Sequence, residues 1–191
     1  MNKKIFSLKN YQASFVDLIS INKEIELKIN FFSNLLKKVN KNKGKIVLFG
    51  NGGSASIASH VAIDLTKNAN IKSLCFNESS HITCLANDFG YENWIQKSIE
   101  FHCEKNDLVV LISSSGGSPN MIKAAKFCIQ KKIRLVTFTG KSKRNKLKLG
   151  NPNGLNFWVN SYAYNHIELT HLFWLLSCVD TIIGKHEYKP N

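Results

Sequence analysis

From Lys45 onward, short apolar runs alternate with stretches of helical rhythm, and this alternation constrains the fold more than any other feature. "KIVLFG" (45–50), "IKSLCF" (71–76), "DLVVLIS" (107–113), "RLVTFTG" (134–140) and "LNFWVN" (155–160) each read as a buried strand. Helical segments separate them, and a last helix is expected over about 164–183. Strands alternating with helices predict an α/β fold, a parallel sheet covered on both faces. Ligands of such sheets sit at the carboxyl ends of the strands.

Residues 1–44 have a different character. "FVDLISINKEIELKINFFSNLLKKV" places Ile21, Ile25, Ile29, Phe32 and Leu36 at three- and four-residue steps, a helical stripe suited to packing. We therefore expect an N-terminal helical segment over 1–44 and one structural unit over 45–191. The 191 residues suffice for a sizeable core.

Composition narrows the function classes. No apolar run reaches the ~18 residues expected of a membrane span, and the first residues lack the pattern of a signal peptide. The five cysteines are widely spaced with no C-x-x-C pattern, as expected of buried free thiols in a reducing cytoplasm. The formal charge of +13 comes partly from "KKVNKNKGK" (37–45) and "KSKRNKLK" (141–148). A nucleic-acid partner is conceivable, but no interleaved aromatics or recognition helix accompany these runs. A solvated exterior is the preferred reading, and the field would also favour a phosphorylated metabolite.

Two loops carry the chemistry. "GNGGSAS" (50–56) joins a strand to a helix. Its glycines permit positive φ and close approach of a ligand, and the new helix offers N–H groups to an anion. "SSSGGS" (113–118) repeats the arrangement, with Ser113, Ser114, Ser115 and Ser118 able to converge on one phosphate. Pro119 suits the first helical position. Gly50, Gly52 and Ala55 also fit a relaxed dinucleotide fingerprint, with Glu78 at a distance suited to a ribose. The second serine-rich loop favours a phosphosugar, so no nucleotide cofactor is expected.

His60 and Asp64 are four residues apart on the helix after the first loop. That spacing suits two ligands of one metal or a local hydrogen-bonded pair.

Together, "GNGGSA", His60, "NDFG" (87–90), "ISSSGGS" and "TFTG" (137–140) resemble the SIS (sugar isomerase) domain, and most closely the phosphoheptose isomerase family. The resemblance implies a five-stranded parallel sheet in a three-layer, flavodoxin-like sandwich. It implies a homotetramer with sites between subunits. It also implies interconversion of sedoheptulose 7-phosphate and a heptose 7-phosphate for bacterial surface sugars, usually with zinc. By resemblance, Ser113, Ser114, Ser115 and Ser118 hold the phosphate, and Asn51, Gly52, Gly53, Ser54 and Asp88 line the sugar site. His60, Asp64 and Glu168 become the metal ligands, and Asp64, Glu168 and His171 the catalytic candidates.

The last helix departs from the family pattern. "IELTHLFWLL" (167–176) has Glu168 where the family has glutamine, and Leu176 where it has a further histidine. His171 is either a participant or a packed histidine. A non-catalytic SIS module that binds a phosphosugar or a partner is therefore the alternative function.

Overall fold

The computed structural model describes residues 6–187. Five strands form one parallel sheet: β1 (Ile46–Gly50), β2 (Ser73–Cys75), β3 (Leu108–Ser113), β4 (Arg134–Thr139) and β5 (Leu155–Trp158). Their order is β2-β1-β3-β4-β5. The α/β expectation holds, and the sheet is sandwiched between helices.

The strands alternate in the way period-two side chains require. Ile46, Leu48, Leu108, Val110 and Ile112 enter one core, while Val47, Phe49, Val109 and Leu111 enter the other. The first core is closed by α2 (Lys23–Lys41), α3 (Gly53–Lys67) and α8 (Tyr164–Ile183). The second is closed by α4 (Ser79–Phe89), α5 (Trp94–His102) and α6 (Pro119–Lys131). Because β1 and β3 are covered on both faces, every residue in them is buried. That is why they read as continuous apolar runs.

The N-terminal region is two helices, α1 (Leu8–Ile19) and α2. The Asn22 side chain accepts from the Ile25 N–H at 3.0 Å and starts α2 afresh. Ile21 thus falls in the turn, 45% exposed, and leaves the expected stripe. Ile25, Ile29, Phe32 and Leu36 remain, all buried. Phe32 lies about 6 Å from the rings of Phe138 and Phe157, so α2 shares one core with the sheet. α1 packs chiefly on α8 and buries none of its residues.

β2 is shorter than its apolar run. Asn70 takes a left-handed conformation, and the Ile71 N–H caps α3 through Leu65 O at 2.8 Å. The chain is therefore still turning at Ile71 and pairs only from Ser73. α8 has the length and apolar composition of a membrane span, yet it is the helix that both α2 and α3 pack upon.

All five cysteines are free, but their burial is uneven. Cys128 and Cys178 are buried, Cys75 and Cys103 half-buried, and Cys84 exposed. Burial pushes the thiols of Cys103, Cys128 and Cys178 up to about 12.

Candidate active site

The strand order reverses direction between β1 and β3, so the loops after these neighbouring strands flank one crevice. Those are the two loops singled out in the sequence. The first is forced by its glycines. A Cβ on Gly50 would run into the backbone of Ser54 and Ala55, and Gly52 has φ +55°. Gly52 is also the N-cap of α3 and brings no capping side chain to that helix end. Ser54 is buried at the same end.

The second loop is folded on its own serines. The Gly116 N–H donates to Ser113 Oγ at 3.2 Å, and the Gly117 N–H to Ser115 Oγ at 3.1 Å. Ser118 is the N-cap of α6 and makes no capping bond with its hydroxyl. Pro119 occupies the first turn, where a missing N–H is harmless. The loop thus presents serine hydroxyls at a helix N-terminus, the donor set of a phosphate cradle.

Two bridges join the loops. Asn51 and Asn120 form a reciprocal amide pair, each Nδ2 donating to the other's Oδ1 at 3.1 and 3.0 Å. Asn120 Oδ1 also accepts from the Met121 N–H at 2.9 Å, and Tyr91 Oη donates to Asn51 Oδ1 at 3.3 Å. The second bridge is Glu168. Ser114 Oγ donates to Glu168 Oε1 at 3.2 Å, and the carboxylate fills the space where a Cβ on Gly53 would stand. A cleft of about 310 Å³ opens beside it, lined by Tyr11, Gly53, Ile57, Asn165, Glu168 and Leu172.

The other expected residues lie further off. His60 and Asp64 meet side by side, Nε2 to Oδ2 3.2 Å, and Asp64 also accepts from Asn68 at 3.1 Å. They sit two and three turns along α3, roughly 10 and 16 Å of helix rise from Gly53. Glu168 is held at Gly53 itself, so the structure does not bring it to them. Among the described residues, no three His, Cys, Asp or Glu side chains form a group able to hold a metal. Leu176, half-buried, packs against the core. The donors that the described residues of one chain bring together do not fit a zinc site. Asp88 is exposed on α4 and accepts from Asn87 at 2.9 Å.

His171 is corrected by its surroundings. It is fully buried, its Nε2–H donates to Thr139 O at 3.1 Å, and Phe138 meets it edge-on. Burial pulls its pKa down to about 4. A neutral, enclosed imidazole does not reach a substrate in the crevice, which takes His171 out of the acid–base set. His81 bonds Ser98 at 2.8 Å and stacks on Phe76 beside His102. Burial, and then His102, lower its pKa. Glu78, the ribose candidate, is the exposed N-cap residue of α4.

Comparison with known proteins decides the family. The SIS domain family matches residues 10–140. Phosphoheptose isomerase 2 of Campylobacter jejuni is 34% identical over 150 residues, 71% of this chain and 74% of that protein. The chain belongs to the phosphoheptose isomerase family of SIS domains. A second member, phosphoheptose isomerase of Sodalis glossinidius, is 29% identical over 187 residues, covering 92% of this chain and 91% of its own. In structure, the phosphoheptose isomerase of Neisseria gonorrhoeae matches with a TM-score of 0.81. It is 23% identical and covers 92% of this chain and 97% of its own, a likeness of fold.

Sequence reading missed Asn120 and Tyr91 in this family member. A signal existed for Asn120: asparagine is a poor choice within a helix's first turn unless its side chain bonds locally.

Proposed function

We propose that the protein is an aldose–ketose isomerase that interconverts sedoheptulose 7-phosphate and the corresponding heptose 7-phosphate. The reading is supported by membership of the phosphoheptose isomerase family. The observation that carries it is the Glu168 carboxylate, held by Ser114 against Gly53 where the two glycine- and serine-rich loops meet.

The reaction moves one proton between neighbouring carbons through an enediol. Ser115, Ser118 and the N-terminus of α6 take the phosphate and fix the far end of the sugar. Asn51, Gly52, Gly53 and Ser54 form the opposite wall. Glu168 removes a proton from C1 of the ketose, and the electron pair becomes the C1–C2 double bond as O2 is protonated. Return of the proton to C2, with loss of the O1 proton, completes the aldose. Ser114 donates to the carboxylate and orients it. Asp64, paired with His60 on the same helix, supplies a second carboxylate toward the far end of α3, and Asp88 lies on the NDFG segment that leads to Tyr91. A homotetramer in the cytoplasm, with the phosphosugar bound between subunits, belongs to this reading.

Incubation with sedoheptulose 7-phosphate in deuterated water, followed by NMR, tests it. Aldose formation with deuterium at C2 is expected. Absence of both at high enzyme concentration refutes it. The second reading, a non-catalytic phosphosugar-binding module, is favoured by one observation: a half-buried leucine, Leu176, packs against the core where the family pattern has a histidine. Tight binding without exchange would select that reading.

A further inference from the structure

Much of the second lysine-rich stretch is exposed, but two of its lysines line a cavity. Lys143 and Lys148 meet Lys28 around a cavity of about 300 Å³. It lies at the β5 edge of the sheet, away from the β1–β3 crevice. Ser20 and Asn22 of the α1–α2 turn, Trp158 and Asn160 at the end of β5, and α7 (Lys146–Leu149) enclose it.

Several features mark it as a built site. Lys148 and Lys143 stand 5.3 and 6.0 Å from the centroid of the Trp158 ring, which gathers two ammonium groups around one indole. The three cations feel one another: burial, then Lys28 and Lys143, lower the Lys148 pKa. Glu24 pairs with Lys28 at 2.7 Å, and Asp17 stands in the wall. Three ammonium groups face two carboxylates, so the cavity keeps a positive excess. Its inner wall is Trp174, whose buried indole Nε1–H has no hydrogen-bond partner.

We propose that this cavity is a second site, for a small hydroxylated phosphate monoester. The phosphate dianion binds between Lys28, Lys143 and Lys148, where it removes their mutual repulsion. The hydroxyls meet Asp17, Asn22 and Asn160. The volume is that of a small-ligand pocket.

The site is coupled to the serine loop through α7. The Leu147 N–H donates to Gly116 O at 2.9 Å, and the Asn145 side chain occupies the space beside Gly116, whose φ is +60°. One residue further along, Lys148 reaches the cavity. A phosphate that fixes Lys148 therefore fixes α7, and α7 supports the loop that cradles the substrate phosphate. Ligand at one site stabilises the other, and the effect is reciprocal.

The experiment is isothermal titration with sorbitol 6-phosphate of three proteins: the unaltered chain, Ser115→Ala/Ser118→Ala, and Lys143→Ala/Lys148→Ala. The serine variant is expected to keep one binding event, accompanied by a change in tryptophan fluorescence. The lysine variant is expected to lose that event, with affinity at least about tenfold weaker. Binding by the serine variant should also weaken with added salt, as contacts between partly exposed charges do. A serine variant that binds nothing, or a lysine variant that binds as the unaltered chain does, overturns the proposal. Lys143→Ala alone, at an exposed position, repeats the test should the double variant misfold. Because binding is measured, the outcome stands apart from whether the crevice catalyses isomerisation.

Discussion

Replacing Asn120 with alanine should separate the two loops of the crevice. The substitution removes three hydrogen bonds: the reciprocal pair with Asn51 and the bond from the Met121 N–H. Asn120 is 2% exposed, so water does not readily replace them. At about 1 kcal/mol for each net bond, the loss is about 3 kcal/mol. Asn51→Ala breaks the same reciprocal pair from the other side, together with the bond from Tyr91. The double variant should therefore cost less than the sum of the singles by about 2 kcal/mol, the worth of two shared bonds. Urea unfolding of the four proteins measures this. With a slope of about 2 kcal/mol/M, Asn120→Ala shifts the midpoint by about 1.5 M. Under the proposed function, activity should fall through KM first, because the two loops of the crevice no longer hold a fixed spacing. A coupling energy within about 0.5 kcal/mol of zero would show that the amide pair does not tie the loops, and the reasoning would fail.

Three further outcomes follow from the same geometry. Glu168→Gln keeps a side chain able to accept from Ser114 but cannot take a proton, so kcat should fall about 100-fold or more with KM nearly unchanged. Equal activity in steady-state assays would remove Glu168 from the proton path. His171 is held neutral with a pKa of about 4 against 6.5 when unfolded. The unfolded chain therefore binds the extra proton first, and stability is lost as pH falls from about 6.5 to 4, by about 3 kcal/mol in all. His171→Gln should flatten that part of the pH–stability curve; an unchanged slope in urea titrations would place the titration elsewhere. Asp64→Glu/Leu176→His supplies a longer carboxylate on α3 and a new imidazole on α8, the helix α3 packs upon, and zinc affinity measured by competition with a chromophoric chelator should rise at least about tenfold. No gain would show that α3 and α8 do not present these positions to one ion.

The sequence by itself determined the layers. β1 and β3 announced themselves because burial on both faces demands unbroken apolar runs, and the two loops because glycine and serine are the residues an anion cradle needs. Two of the family motifs, GNGGSA and ISSSGGS, lay in those same loops. Helix breaks were less legible: the start of α2 at Asn22 depends on a side-chain cap that competes with a continuous stripe through Ile21. The last helix was the least legible, because spacing gives the face of a helix but not its neighbours. His171 and Glu168 share a face by number, yet packing sends one under Thr139 into the core and the other across to Gly53 and Ser114. Likewise His60 and Asp64 had to meet each other, being one turn apart, whereas whether Glu168 joined them was set by how α8 lies against α3. Local spacing is written in the chain; distances between elements far apart in sequence are fixed only when the cores on the two faces of the sheet close.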